Sequence, residues 1–214
     1  MSREERSQGI VLRRWPVTES SLVVTWFTRE HGKVKTLAKG ARRPKGPFQG
    51  KLDLFYEDEL VWLRSRRSEL HLLHDCFLVE PHAGLRRSVP QLTVASYVCE
   101  LVEAAVGAED ANPVIYGLLQ EMLGRSAGRA EAVVLIWFEL QLLRLSGWAR
   151  RWEDATATSS VLRALAKTTG DGASRVRLSA EQLAAGREVL WRIWDEELGR
   201  PVRSRKSLVQ EVSR

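Results

Sequence analysis

The chain has 214 residues, 44% of them hydrophobic and 28% charged, with a formal net charge of +6. That composition excludes wholesale disorder, and the positive balance favours acidic partners such as nucleic acid. The opening "MSREERSQG" has no apolar leader-like run and no window approaches the ~18 apolar residues of a membrane span, so a cytoplasmic protein is expected.

Five runs rich in Val, Leu, Phe and Trp precede Pro81 and predict β-strands: Gly9 to Trp15, Ser21 to Thr28, Gly32 to Gly40, Leu52 to Arg64 and Glu69 to Glu80. The connectors "REHG" and "SRRS" suit hairpins, and nothing between the runs is long enough for a helical crossover. Five short antiparallel strands predict a closed or partly closed barrel of the OB or SH3-like kind over residues 1–81. In the third run, alternation puts Lys33, Lys35, Leu37 and Lys39 on one face and Val34, Thr36 and Ala38 on the other.

The connector after that run, within "LAKGARRPKGPFQGKL", is crowded with like charges. From Arg29 to Lys51 the basic residues are Arg29, Lys33, Lys35, Lys39, Arg42, Arg43, Lys45 and Lys51, opposed only by Glu30. Lys and Arg neutralise phosphates and release condensed counterions without reading base sequence. Glycines at 40, 46 and 50 permit close backbone approach, and Pro44 and Pro47 reduce the entropy lost on ordering the loop. The candidate nucleic-acid contacts are Lys33, Lys35, Lys39, Arg42, Arg43, Lys45, Phe48 and Lys51. Phe48 either stacks on a base or plugs the barrel end, and Trp26 is either core or a second platform. "RSRR" at Arg64 to Arg67 either extends the basic path or keeps a turn soluble.

Beyond Pro81 the apolar spacing becomes helical, which predicts an all-α bundle over residues 82–214. Ser88 and Asn112-Pro113 mark helix starts, and Gly107 marks a stop. Ala130 to Ser146 is apolar almost all round and is expected to be the central buried helix, ended by Gly147; Glu131, Glu139, Gln141 and Arg144 argue against a membrane span. Residues 154–175 are expected to be a flexible segment with one short helix around Val161 to Lys167. Ser179 and Gln182 have capping-box spacing and open a helix through Leu198, and Ser204 caps a last short one. "RPVRSRK", Arg200 to Lys206, has three readings: phosphate binding, balance for Asp195-Glu196-Glu197, or helix capping.

Cys76 and Cys99 lie in apolar contexts without metal-ligand spacing and read as buried free thiols. No P-loop, dinucleotide fingerprint or H-E-x-x-H is present, and His31, His71, His74 and His82 have no nucleophile-elbow partner, so no enzyme is expected.

The amino-terminal "GIVLRRWPVTESSLVVTWFTREHGKVKTLAKGARRPKG", above all "FTREHGK" followed by "AKGARRPK", resembles the OB domain of the bacterial recombination mediator family RecO. "LLRLSGW" and "LGRPVRSRKSL" are similar to the helical domain of that family. The resemblance implies a non-catalytic, cofactor-free protein of the nucleoid that binds single- and double-stranded DNA, anneals complementary strands and helps replace single-strand binding protein by recombinase. Its implied partners are RecR and the acidic C-terminal tail of single-strand DNA-binding protein, with Arg125, Arg129 and Arg144 as candidate rims of a groove for that tail. Many family members carry a four-cysteine zinc motif after the "LSGW" helix. Trp148 to Arg175 here contains neither Cys nor His, so no metal is expected. The alternative is an OB-fold adaptor that binds protein or RNA without annealing DNA.

Overall fold

The computed structural model describes residues 3–128, 131–149 and 158–212. Five strands, β1 (Glu4–Pro16), β2 (Leu22–Thr28), β3 (Gly32–Ala38), β4 (Glu57–Leu63) and β5 (Leu70–Glu80), close into a barrel in the order β1-β2-β3-β5-β4. All neighbours are antiparallel except β3 and β5, which run parallel over Lys35–Leu37 and Leu70–Leu72. The parallel pair corrects the all-antiparallel expectation and follows from parity. With β2 and β4 both opposed to β1, β3 and β5 must point the same way.

Two strand boundaries differ from expectation for physical reasons. Polar residues Glu4 to Gln8 extend β1 because they pair with Leu63 to Glu59 of β4. Leu52 to Tyr56 is apolar but not strand: Phe55 has φ +70, and Leu52 and Phe55 are buried as loop residues. The barrel core gathers Val11, Val24, Trp26, Val34, Leu60, Trp62, Leu73 and Cys76. Trp26 is fully buried and its indole N–H donates to Thr36 Oγ1 at 2.8 Å, which makes it core. Burial pushes the Cys76 thiol up to about 12, as befits an inert packing residue.

The barrel belongs to a compact unit of Met1–Ala83 with Val106–Gln120. The later segment is joined by backbone: Ala108 forms a β-bridge with Lys33, and Glu109 N–H donates to the Lys33 carbonyl at 3.0 Å. Gly32 allows this approach, since a Cβ there would lie 2.2 Å from the Asp110 carbonyl oxygen. Within the same unit Glu57, nearly fully buried, accepts from Tyr116 Oη at 2.9 Å and from Gln120 Nε2 at 3.0 Å.

The second unit, Gly84–Ala105 with Glu121–Arg214, is helical. Its described helices are α1 (Val89–Ala105), the latter part of α2 (Pro113–Gly128), α3 (Ala132–Leu145), α4 (Thr158–Ala166), α5 (Gly170–Arg175), α6 (Ala180–Leu198) and α7 (Arg205–Val212). Two of the expected caps are present: Asn112 Oδ1 accepts from Ile115 N–H at 3.0 Å, and Ser179 and Gln182 form a reciprocal capping box, whereas the hydroxyls of Ser88 and Ser204, also expected as caps, donate to Gln91 at 3.0 Å and to Glu100 at 2.6 Å. Where one helix was expected between 158 and 175 there are two, because Thr169 caps "GDG" as the first turn of α5. Residues 154–157 of the expected flexible segment, and Arg129 of the expected rim, lie outside the described residues. The Arg200–Lys206 stretch makes contacts that fit the balancing reading. Glu100 of α1 accepts from the N–H groups of Arg203 and Ser204, both at 2.9 Å, and Arg205 donates to both oxygens of Asp195 at 2.7 Å.

Helix α3 is buried along almost its whole length, including Glu139, which has no exposed surface. Its carboxylate is surrounded by Tyr97, Trp194 and Arg205, and burial raises it to about 8 against the pull of Arg205. A carboxyl raised this far above its unfolded value binds its proton more tightly when folded. The fold therefore loses stability as pH rises from about 4.5 to 8, and the loss is complete above that. Glu139→Gln is expected to be more stable than the parent by roughly 3–5 kcal/mol at pH 9 and to show no gain at pH 4, measured by urea unfolding.

Candidate nucleic-acid interface

The outer face of β3 carries Lys33, Lys35 and Leu37, with Lys39 just beyond its end, while Val34, Thr36 and Ala38 point into the barrel. On the β5 side the same face continues through Leu70 and Leu72, the partners of Lys35 and Leu37. Two grooves open on this face, one at each end of the strand.

The first, of about 450 Å³, is lined by Lys33, Lys35, Arg64, Arg66, Arg67 and Glu69 among others. Its floor is a polar lock. His71 is buried; its Nδ1 accepts from the Ser65 N–H at 3.2 Å and its Nε2 donates to Glu109 at 3.0 Å. Burial lowers the imidazole pKa, and Arg64 reinforces that shift, so His71 is neutral with its proton on Nε2. Arg64 is paired with Glu109 as well. The β4–β5 turn is thereby fixed, while Arg66 and Arg67 have no ion-pair partner among the described residues.

The second groove, of about 710 Å³, is lined by Val17, Leu37, Lys39, Gly40, Arg43, Pro47 and Leu70 among others. The connector that builds it is a chain of tight turns: Arg43 N–H bonds to the Gly40 carbonyl, Gly46 to Arg43, Gln49 to Gly46 and Lys51 to Phe48, at 3.0 to 3.2 Å. Gly46 permits this winding, for a Cβ there would meet the Gly40 carbonyl oxygen at 2.5 Å. Phe48 pins the connector. Its ring is 4% exposed and packs in the barrel core beside Leu52, so it closes the barrel and offers no face to a base.

The eight sequence candidates therefore divide. Lys39, Arg43 and Lys45 are exposed without ion pairs among the described residues, and Lys45 holds φ +59 at the connector tip. Arg42 is exposed and donates to the Thr18 carbonyl at 3.2 Å. Lys35 lies 3.9 Å from the exposed Glu69. Lys33 is committed to the Val106 carbonyl at 2.9 Å. Lys51 is set apart, 3.6 Å from Asp75 and 5.3 Å from the Phe77 ring centroid. What the sequence candidates omitted are Arg66 and Arg67, for which "RSRR" was the available signal, and the apolar surface of Val17 and Leu70. The four histidines share no site: His31 is edge-on to Trp62, His71 is locked below the first groove, His74 is exposed and His82 is buried. In the helical unit Arg125 is taken by Glu121 and Asp171, whereas Arg144 is exposed.

Arrays of cations along an OB-type barrel are suited to a polyanion. Comparison with known proteins gives the family. Residues 1–82 match the family model Recombination protein O N terminal, and residues 86–160 match Recombination protein O C terminal. The DNA repair protein RecO of Syntrophotalea carbinolica is 35% identical over 146 residues, covering 67% of this chain and 56% of the relative. The proteins of the same name from Rhodopirellula baltica and Salinibacter ruber are each 34% identical, over 65% and 67% of this chain and 52% and 56% of theirs. The chain thus spans somewhat over half the length of these relatives. Two matched domain models in the family order, on a barrel of OB topology followed by helices, establish that this chain belongs to the RecO family.

Proposed function

We propose that this protein binds DNA through the barrel face around β3 and acts without catalysis as a strand-annealing recombination mediator in DNA repair. The observation that carries the reading is the cluster of Lys39, Arg43, Lys45, Arg66 and Arg67 on one barrel, none with an ion pair among the described residues. Like charges gathered without counter-charges repel one another, and a phosphate backbone relieves that repulsion. Two complementary strands neutralised on the same surface approach each other at lower electrostatic cost, which is the physical basis of annealing. The ordered connector adds to this because its cations are presented in place, with little entropy lost on binding.

The family name of the relatives supports a role in DNA repair, and exchange of single-strand binding protein for recombinase, with RecR and the tail of single-strand binding protein as partners, completes the reading. Such a protein works on the nucleoid in the cytoplasm. No helix among the described residues is long and apolar enough to cross a membrane. Titration of a labelled oligothymidylate against salt tests the proposal: with about five phosphate contacts, log K is expected to fall with log salt at a slope of roughly −3.5. An adaptor for protein or RNA would show no tight DNA binding even at low salt, and that result would refute the DNA reading.

A further inference from the structure

We propose that the end of β5 is a docking surface for another protein, and that the segment it takes is apolar with cationic flanks. The surface lies roughly 20 Å along the strand from Leu70 and its charge is the reverse of the β3 face, so it goes beyond the DNA-binding reading and does not depend on it.

Phe77, Leu78 and Val79 are consecutive and are 52%, 41% and 51% exposed. A scattered apolar side chain on a surface needs no explanation, but in a strand of period two a run of three hides either its middle member or its outer two when one face is packed. Two features of the sheet leave all three in solvent. Pairing with β3 stops at Leu72, so the later part of β5 has β4 on one side and, among the described residues, no strand on the other. Glu80 pairs with Glu57 and Leu78 with Asp58, which makes Val79 an extra residue, a bulge at the end of the ladder. Bulges of this kind re-aim side chains beside functional surfaces.

Phe77 is the anchor. Lys51 Nζ sits 5.3 Å from its ring centroid, and Lys51 is itself held 3.6 Å from Asp75, so the ring is steadied on one side while half of it stays in solvent. An aromatic side chain already fixed in place loses little entropy on burial, and such residues carry most of the binding energy at protein interfaces. Lys51 belongs to this surface, with its charge neutralised by Asp75.

The rim decides the partner. Beyond the Lys51–Asp75 pair, the charges beside the run are Glu59, which pairs across the ladder with Phe77, and Glu80; both are exposed and neither has an ion pair among the described residues. Glu80 accepts the His82 N–H at 2.8 Å, which holds its carboxylate at the edge of the patch. An acidic rim repels nucleic acid and anionic membrane, and a two-fold pairing of the patch with itself would bring the carboxylates of both copies together. A segment with an apolar centre and Lys or Arg beside it is attracted instead. It buries the exposed run and pairs both carboxylates.

The test is selection from a displayed library of random dodecapeptides on the immobilised full chain, with counter-selection on the F77S/L78S variant. Acidic peptides held by the basic connector bind both proteins and are removed. The peptides retained are expected to carry Lys or Arg around apolar residues. A labelled synthetic copy of one of them is expected to bind F77S/L78S about 30-fold more weakly than the wild type, and Glu59→Lys about fivefold more weakly. The substituted positions are surface residues, so both variants are expected to keep the wild-type melting temperature, and F77S/L78S to keep its affinity for oligothymidylate. Failure of the wild type to bind oligothymidylate would sink the DNA-binding reading alone. Retained peptides enriched in Asp and Glu, or a selection in which no peptide distinguishes the two proteins, would overturn the docking surface. So would a wild-type dimer in sedimentation that F77S/L78S dissociates, because a second copy would then cover the patch.

Discussion

The R42A/R43A/K45A variant is expected to bind single-stranded DNA about 100-fold more weakly than the wild type at 0.1 M salt, and to anneal complementary strands correspondingly slowly. Each phosphate contact on a single strand contributes about 0.7 log unit at that salt through counterion release, so three contacts contribute roughly two. The three side chains belong to the connector between β3 and β4, and their removal leaves its turns intact, since those are backbone hydrogen bonds, and leaves Phe48 in the core. Electrophoretic or anisotropy binding and a fluorescence annealing assay measure the effect. Annealing at the wild-type rate by a folded triple variant would remove the connector from the mechanism.

The second large effect is on stability. Phe48→Ala is expected to cost about 3–5 kcal/mol of unfolding free energy, because it deletes a buried ring that packs among core side chains. Since that ring anchors the connector, DNA affinity is expected to fall together with stability. Phe48→Leu separates the two roles: it refills most of the cavity and is expected to bind DNA within about twofold of the wild type. Loss of DNA binding by a stable Phe48→Leu protein would mean that the ring touches a base.

How far all this was legible in the sequence varies from element to element. The alternation of Lys33 to Lys39 was enough to find the face, because a strand half in water records its orientation in every second residue. The ends of β1 and β4 were not legible. Glu4 to Gln8 is a strand only because β4 offers it partners, and Leu52 to Tyr56 is apolar because it plugs the barrel while lying outside the sheet. The basic connector was visible as composition, but which of its cations remain available depends on residues far off in sequence. Val106 takes Lys33 and Asp75 takes Lys51, and no local pattern encodes either contact. Phe48 had two readings that composition could not separate, since an aromatic ring suits both a core and a base. Glu139 interrupts an apolar helix in the sequence as any surface residue would, and only the surrounding helices make it interior.

The parallel run of β3 beside β5 has a consequence for the dimensions of the face. Had the two strands been antiparallel, the connector leaving β3 and the turn entering β5 would have met at the same end, and their arginines would have formed one crowded patch. Running the same way, they are held at opposite ends of a rigid strand. Lengthening either loop would widen a groove without changing the separation, so in evolution the spacing of the two grooves and their depth can vary independently. Only a change in the number of residues in β3 itself would reset the spacing.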